Sequence, residues 1–413
     1  MPTVQGAGSV HPTVAVGTDY AVGQQASAVI QSAANVQVAV MTAGGVAPTV
    51  PGGQDGVLIV DTSQPGFIGG GIAASGYRYF VVGDTYNPIT VSGGGSVGQV
   101  AILGTALGPV GAIAFSAGGG SGTIVGGDGK KTITTGHGTN FAVYTGAGND
   151  TVNLSGSPAA GLDTVAAGAG QNLVTLGAAP TQVQSTGSDT INVSVGSTTV
   201  QAIGNAAVAL QGGSGARTLI NGGGYASVSG GAGSVTVFGG AGGINAQGGS
   251  AGNNLMLGGS GQTYLTGGGG GDVLIATSAS AQQVLQAGTG NETLLGSLST
   301  MNNVFAAGSG NDLIIAGAGN DTIFAGAGAV TVTGGAGADA FTFNTIIARG
   351  GSMTITDFTP GVDRVVLRNY PDAPASLAAN AQHIGPASTR VTLSDGSSIT
   401  FVGLSSVTPG FFG

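Results

Sequence analysis

From Gly212 the chain can be cut into units of nine, each opening on small residues and closing on a short strand-like run with an aliphatic residue at its eighth position. The units read GGSGARTLI, NGGGYASVS, GGAGSVTVF and GGAGGINAQ, then a ten, GGSAGNNLML, then GGSGQTYLT and GGGGGDVLI. The beat resumes as AGTGNETLL at 287, and as AGSGNDLII, AGAGNDTIF, AGAGAVTVT and GGAGADAFT from 307 to 342. Upstream, TGHGTNFAV, TGAGNDTVN, PAAGLDTVA and AGAGQNLVT carry the pattern more loosely. The eighth positions are Val152, Val165, Val174, Leu219, Val228, Val237, Leu265, Leu274, Leu294, Ile314, Ile323, Val332 and Phe341. One apolar anchor per nine residues cannot build an amphipathic helix, which needs one every three or four. It suits a coil that turns, lays down a three-residue strand and turns again. Stacked coils of this kind form parallel sheets about 4.8 Å apart around a thin aliphatic core.

The nonapeptides resemble the Gly-Gly-x-Gly-x-Asp-x-aliphatic-x units of repeats-in-toxin (RTX) proteins, most closely in TGAGNDTVN, GGGGGDVLI, AGSGNDLII, AGAGNDTIF and GGAGADAFT. The resemblance implies an all-β fold, a right-handed parallel β-roll or β-solenoid that binds Ca2+, here over residues 121–345. In such a turn glycine exposes backbone carbonyls and an Asp at the sixth position completes an oxygen cage. The expected metal ligands are Asp150, Asp163, Asp189, Asp272, Asp312, Asp321 and Asp339. In the family, cages form between turns two units apart, so Asp321 and Asp339, 18 residues apart, are expected on one side and Asp312 on the other. Lys131, Asn140, Asn172, Arg217, Ala226, Val235, Ile244, Thr263, Glu292 and Val330 depart from the pattern where Asp is expected.

Both ends differ from the middle. The segment ITDFTPGVDRVVL and the hairpin signal in VTLSDGSSITFVGL resemble the module that closes serralysin-like RTX rolls. That implies a C-terminal β cap over 346–413 containing a type I secretion signal, with Asp357 and Asp363 as turn caps. Residues 1–120 lack a clean register and are expected to be a β-rich assembly or binding region. Tyr77, Tyr79, Phe80 and Tyr86 form an aromatic cluster there, expected to serve packing ahead of sugar binding.

Composition narrows the function. The chain has 413 residues, 85 of them Gly, and recurring Val, Ile and Leu argue against a disordered linker. Net charge is −9 and only eight Lys and Arg are scattered through it, which excludes a basic patch for nucleic acid. Cys is absent, so disulfides and thiolate chemistry are excluded. The N-terminal stretch lacks the charged and apolar regions of a signal peptide, and no apolar run reaches the 18 residues of a membrane span. No HExxH is present, and His11, His137 and His383 lie far apart. GGSVG around Ser96 matches a nucleophile elbow only formally, and GGDGKKT lacks the Ser or Thr and the helix of a phosphate loop. The expectation is a secreted, non-enzymatic, calcium-binding structural protein at the cell surface or in the extracellular matrix. Its expected partner is itself, with matrix or surface polysaccharide as a further one. The alternative is a calcium-dependent adhesin or carbohydrate-binding protein.

Overall fold

A computed structural model describes residues 25, 28–30, 33, 35–63, 67–278, 280–346 and 349–413. His11 lies outside the described residues. The structure divides into two units, Met1–Gly215 and Ala216–Gly413. Each is a β-solenoid in which consecutive strands alternate between two sheets, called here I and II, and strands two apart in sequence pair in parallel.

In the first unit, sheet I pairs Asp163–Ala167 with Thr181–Ser185 in the register Asp163↔Thr181 and Val165↔Val183. Sheet II pairs Lys131–Thr134 with Thr151–Leu154 through Ile133↔Val152. The second unit repeats the scheme, with Val273–Ile275 against Thr293–Leu295 in sheet I and Val304–Ala306 against Thr322–Phe324 in sheet II. Side chains alternate across each strand, so a strand of three to five residues sends one or two inward and the rest to the surface. The nine-residue unit is therefore half a coil.

The inward residues stack into columns that form the core. In the first unit one column runs Ile72, Val91, Phe115, Ile133, Val152, Val174, Ile191 and Leu210. In the second unit the columns are Leu219, Val237, Met256, Leu274, Leu294, Ile314 and Val332, and Val228, Ala246, Leu265, Leu285, Phe305, Ile323 and Phe341. Every aliphatic assigned to an eighth position is buried. One register differs from the expectation. In TGHGTNFAV the residue entering the strand is Phe141, paired with Gly122, while Asn140 is exposed with φ 57°. Asn tolerates the left-handed region, and this turn uses it to start the strand one residue later.

The wrapping is already present in the first described strands. Val36–Met41, Asp55–Val60 and Tyr77–Val82 pair in parallel, and Gln99–Leu103 pairs with Gly122–Gly126 across residue 120. Tyr77, Tyr79 and Phe80 are buried, and the Tyr77 hydroxyl donates to the Pro48 carbonyl at 2.8 Å, so the aromatic cluster is a packing feature. Only Tyr86 of that group is exposed. Ser96 sits in a turn between two strands, with its hydroxyl 3.5 Å from the Tyr77 carbonyl.

At the C-terminal end Ser398–Val402 pairs in parallel with Ser352–Ile355 and antiparallel with Ser388–Thr392. The antiparallel strand covers what would be an open parallel edge. Phe358 packs under this end with ring centroids 6.0 Å from Phe341, 5.0 Å from Phe401 and 4.9 Å from Phe411.

Candidate metal centre

The residue that enters each strand from the glycine turn points inward, and coil by coil these residues form two further columns. In the second unit the sheet I column runs Arg217, Val235, Asn254, Asp272, Glu292, Asp312 and Val330. The sheet II column ends Gln283, Asn303, Asp321, Asp339 and Asp363. In the first unit the sheet II column contains Lys131, Asp150, Asn172 and Asp189, while Asp163 stands in sheet I between Phe141 and Thr181. Asp321 and Asp339 thus share a column, and Asp312 belongs to the other. Two members escaped the sequence reading. Glu292 was a departure and Asp363 a turn cap, yet each completes a run of three acids. Glu292 stands at the sixth position as Glu in place of Asp, and the 24-residue spacing of Asp363 from Asp339 conceals the periodicity that would have found it.

Backbone ladders hold these carboxylates in place. Asp321 N–H donates to Asp339 Oδ1 at 2.8 Å, Asp339 N–H to Asp363 Oδ1 at 2.9 Å, and Glu292 N–H to Asp312 Oδ1 at 3.0 Å. The second oxygen of several acids accepts from its own turn: Gly268 N–H to Asp272, Gly308 N–H to Asp312 and Gly317 N–H to Asp321, at 2.7 to 2.9 Å. Asp339 differs. Asp357 takes the N–H groups of Gly334 and Gly335, both at 2.8 Å, and Asp339 Oδ2 is buried with no hydrogen-bond partner. Asp163 Oδ2 is likewise buried and unpartnered. A Cβ at Gly334 would lie 2.5 Å from Asp339 Oδ2 and 3.1 Å from the Phe341 ring, so a larger residue there would have to displace that carboxylate.

Such burial is electrostatically costly, and it raises the carboxyl pKa values. Asp339 is pushed up to about 7, chiefly by desolvation, with the charges of Asp321, Asp363 and Asp357 adding to it. Glu292 also rises to about 7, through burial first and the Asp312 carboxyl second, and Asp150 to about 6 through burial. Among the described residues no three Asp, Glu or His side chains converge on one point. Within each column the acids stand one per coil, so a bound ion would draw its remaining ligands from turn carbonyls. All available donors are oxygens, several are anionic, and one buried carboxylate oxygen per site lacks a partner at Asp339 and Asp163. That donor set fits Ca2+.

Residues 248–278, 299–332 and 316–345 match the RTX calcium-binding nonapeptide repeat (4 copies). The second unit carries RTX repeats. RTX nonapeptide repeats are calcium-binding motifs. No curated protein matches the chain. The matched RTX segments lie in the second unit and contain Asp272, Asp312, Asp321 and Asp339. Asp150, Asp163 and Asp189 lie outside them.

The raised pKa values set a pH dependence for the metal-free chain. Between the ordinary value of 3.8 and about 7, the folded chain keeps a proton at Asp339 that the unfolded chain has released. This contribution to stability is fully present below 3.8 and is lost as pH rises through about 7. In chelator, the urea midpoint is therefore expected to be higher at pH 5 than at pH 7.5, and Asp339→Asn should reduce the difference to the part that the other raised carboxyls, Glu292 and Asp150 among them, contribute. Calcium reverses the trend, since the ion binds the deprotonated form.

Proposed function

We propose that this is a secreted, non-enzymatic structural protein whose carboxylate columns bind calcium and whose stacked coils assemble with copies of themselves at the cell surface or in the extracellular matrix. The calcium ligands in this reading are Asp272, Glu292 and Asp312 in one column and Asp321, Asp339 and Asp363 in the other, completed by turn carbonyls. Asp150, Asp163 and Asp189 are the first unit's candidates, each without an acidic neighbour in its column. Export follows the type I route through the C-terminal segment, and matrix polysaccharide is a further partner.

The observation that carries self-assembly is the outer surface of sheet I in the second unit. Ile220, Phe238, Leu257, Ile275, Leu295 and Ile315 form one outward column. Beside it run Thr218, Thr236, Leu255, Val273, Thr293, Leu313 and Thr331. Neither column contains a charged residue. Ile220, Phe238 and Leu313 are about 40% exposed. In the first unit the corresponding surface, with Val57, Ile59, Tyr79, Val81, Val100, Ile102 and Val125, is closed by Ile30 and Ala33. A second copy is the fitting occupant of the uncovered strip, since it brings the same uncharged surface at the same strand spacing. Two such strips face to face would bury on the order of 1,200 Å², the lower end of a specific interface.

Light scattering and negative-stain microscopy of the calcium-loaded chain test this. Ordered assemblies are expected for the wild type and dispersed particles of unchanged circular dichroism for Phe238→Lys/Leu313→Lys. Dispersed wild-type monomers at high concentration, with or without calcium, refute the assembly reading. The adhesin alternative loses its contact surface with the burial of Tyr77 and Tyr79.

A further inference from the structure

Two asparagines in the acid columns, one in each unit, share three side-chain contacts. Asn254 is 1% exposed and its side-chain hydrogen-bonding capacity is saturated. Its Oδ1 accepts from Val235 N–H at 2.7 Å and Gly249 N–H at 2.9 Å, while Nδ2 donates to the Gly249 carbonyl at 2.9 Å and to Asp272 Oδ1 at 2.8 Å. This network also settles which atom of the amide is nitrogen. Asn172 repeats it in the first unit: Oδ1 accepts from Asp150 N–H at 3.0 Å, and Nδ2 donates to the Gly168 carbonyl and to Asp189 Oδ1, both at 2.8 Å. In each case one NH2 group lies between a turn carbonyl and the carboxylate of the neighbouring coil. A divalent ion bound between those coils would bridge the same pair of oxygens.

We propose that Asn172 and Asn254 are tethered stand-ins for calcium, closing their turns without metal by offering two N–H groups to the oxygens that an ion would otherwise join. The inference rests on the calcium reading of the carboxylate columns. The polarity of the turns supports it. Where an acid stands in the column, as at Asp312 and Asp321, it accepts a turn N–H and leaves turn carbonyls for a cation. Where a nitrogen-bearing side chain stands there, it donates to turn carbonyls instead. Lys131 Nζ donates to the carbonyls of Asp128 at 2.6 Å and Gly129 at 3.1 Å, and Gln283 Nε2 to that of Gly259 at 2.6 Å. Gln99 Nε2 reaches three carbonyls, those of Ser96, Ala117 and Gly119, at 2.8 to 3.2 Å. Space at the Asn254 turn is limited as well. A Cβ on Gly248 would stand 2.7 Å from Nδ2, so the amide occupies the space beside that glycine.

The repeat therefore has two interchangeable ways of closing a turn, and the isosteric change Asn→Asp converts one into the other. Asn254→Asp removes both donors and sets two carboxylates against each other across adjacent coils, which creates a demand for a cation. Calcium titration of the full chain by calorimetry is the test, with wild type and Asn254→Asp compared. The variant is expected to bind about one additional ion per chain and to need calcium for the structure around this turn. Hydrogen exchange of the wild type provides an arm that needs no mutant. Amides at 249–254 and 168–172 should exchange at similar rates with calcium and with chelator, while those at 334–339 speed up by about tenfold or more on chelation. Calcium uptake by the wild type without a gain in Asn254→Asp overturns this inference alone, as does equal acceleration of 249–254 and 334–339. A wild-type chain that takes up no calcium overturns the calcium reading and this inference together.

Discussion

Chelation of calcium is expected to unfold the carboxylate coils of the second unit and to lower the thermal midpoint of the full chain more than any single substitution. Asp272, Glu292 and Asp312 stack in one column and Asp321, Asp339 and Asp363 in the other, all buried. Without a counter-ion each run holds three acids in a desolvated interior, and Asp339 and Glu292 respond by titrating near neutral pH. An ion at a hundredfold excess over its Kd stabilises the folded state by about 2.7 kcal/mol, so two sites contribute about 5 kcal/mol. That is comparable to the lower end of a domain's total stability. Far-UV circular dichroism during titration of the chelated chain with calcium checks the prediction, with magnesium as the control. Overlapping melting curves in calcium and in chelator would contradict it.

The second large effect is expected from Phe341→Ala. Phe341 is fully buried in the inward column between Ile323 and Val365, and its ring faces Phe358. Removing it leaves a cavity in a core only one column deep on each side, which neighbouring coils cannot fill without breaking their ladders. A loss of about 3–5 kcal/mol follows from comparable aromatic truncations. Phe324 lies on the adjacent coil but in the outward position next to Ile323, and Phe324→Ala should cost about 1 kcal/mol or less. Urea unfolding of both variants in saturating calcium measures the difference. Equal losses would mean that the inward and outward assignments are wrong.

Much of the architecture was legible in the sequence because each half-coil states its own geometry. In AGAGNDTIF the small residues permit the turn, Ile323 must be buried because it is the residue that alternation sends inward, and Asp321 precedes it by two and shares its face. The same alternation exposes Thr322 and Phe324 to the outer surface. Where the local pattern failed, a turn had changed length. Asn140 was assigned the inward place that Phe141 occupies, because a left-handed residue delays the strand by one. Asp363 follows Asp339 by 24 residues and so falls off the nine-residue beat, whereas Glu292 stands at the sixth position but as Glu in place of Asp.

The roles of Asn172 and Asn254 were not legible at all. Asn172 looked like a loss of the acidic position and Asn254 fell unassigned in the ten-residue unit, and only the stacking of coils reveals that their amides meet Asp189 and Asp272. The uncovered strip from Ile220 to Ile315 is a similar case. Alternation marks these residues as outward, but nothing local distinguishes them from Val81 or Ile102, which Ile30 and Ala33 cover.

The sequence by itself determined the period, the turn chemistry and the inward side of each strand, since these depend on steric and hydrophobic preferences within nine residues. Tertiary structure alone decided which residues 17 to 24 positions apart became neighbours, and so which acids pair with acids and which with amides. The reason is that parallel ladders align strands through backbone hydrogen bonds and buried side chains, leaving insertions to be absorbed in the turns. Register between coils is therefore a property of the stack, and it is carried by no single repeat.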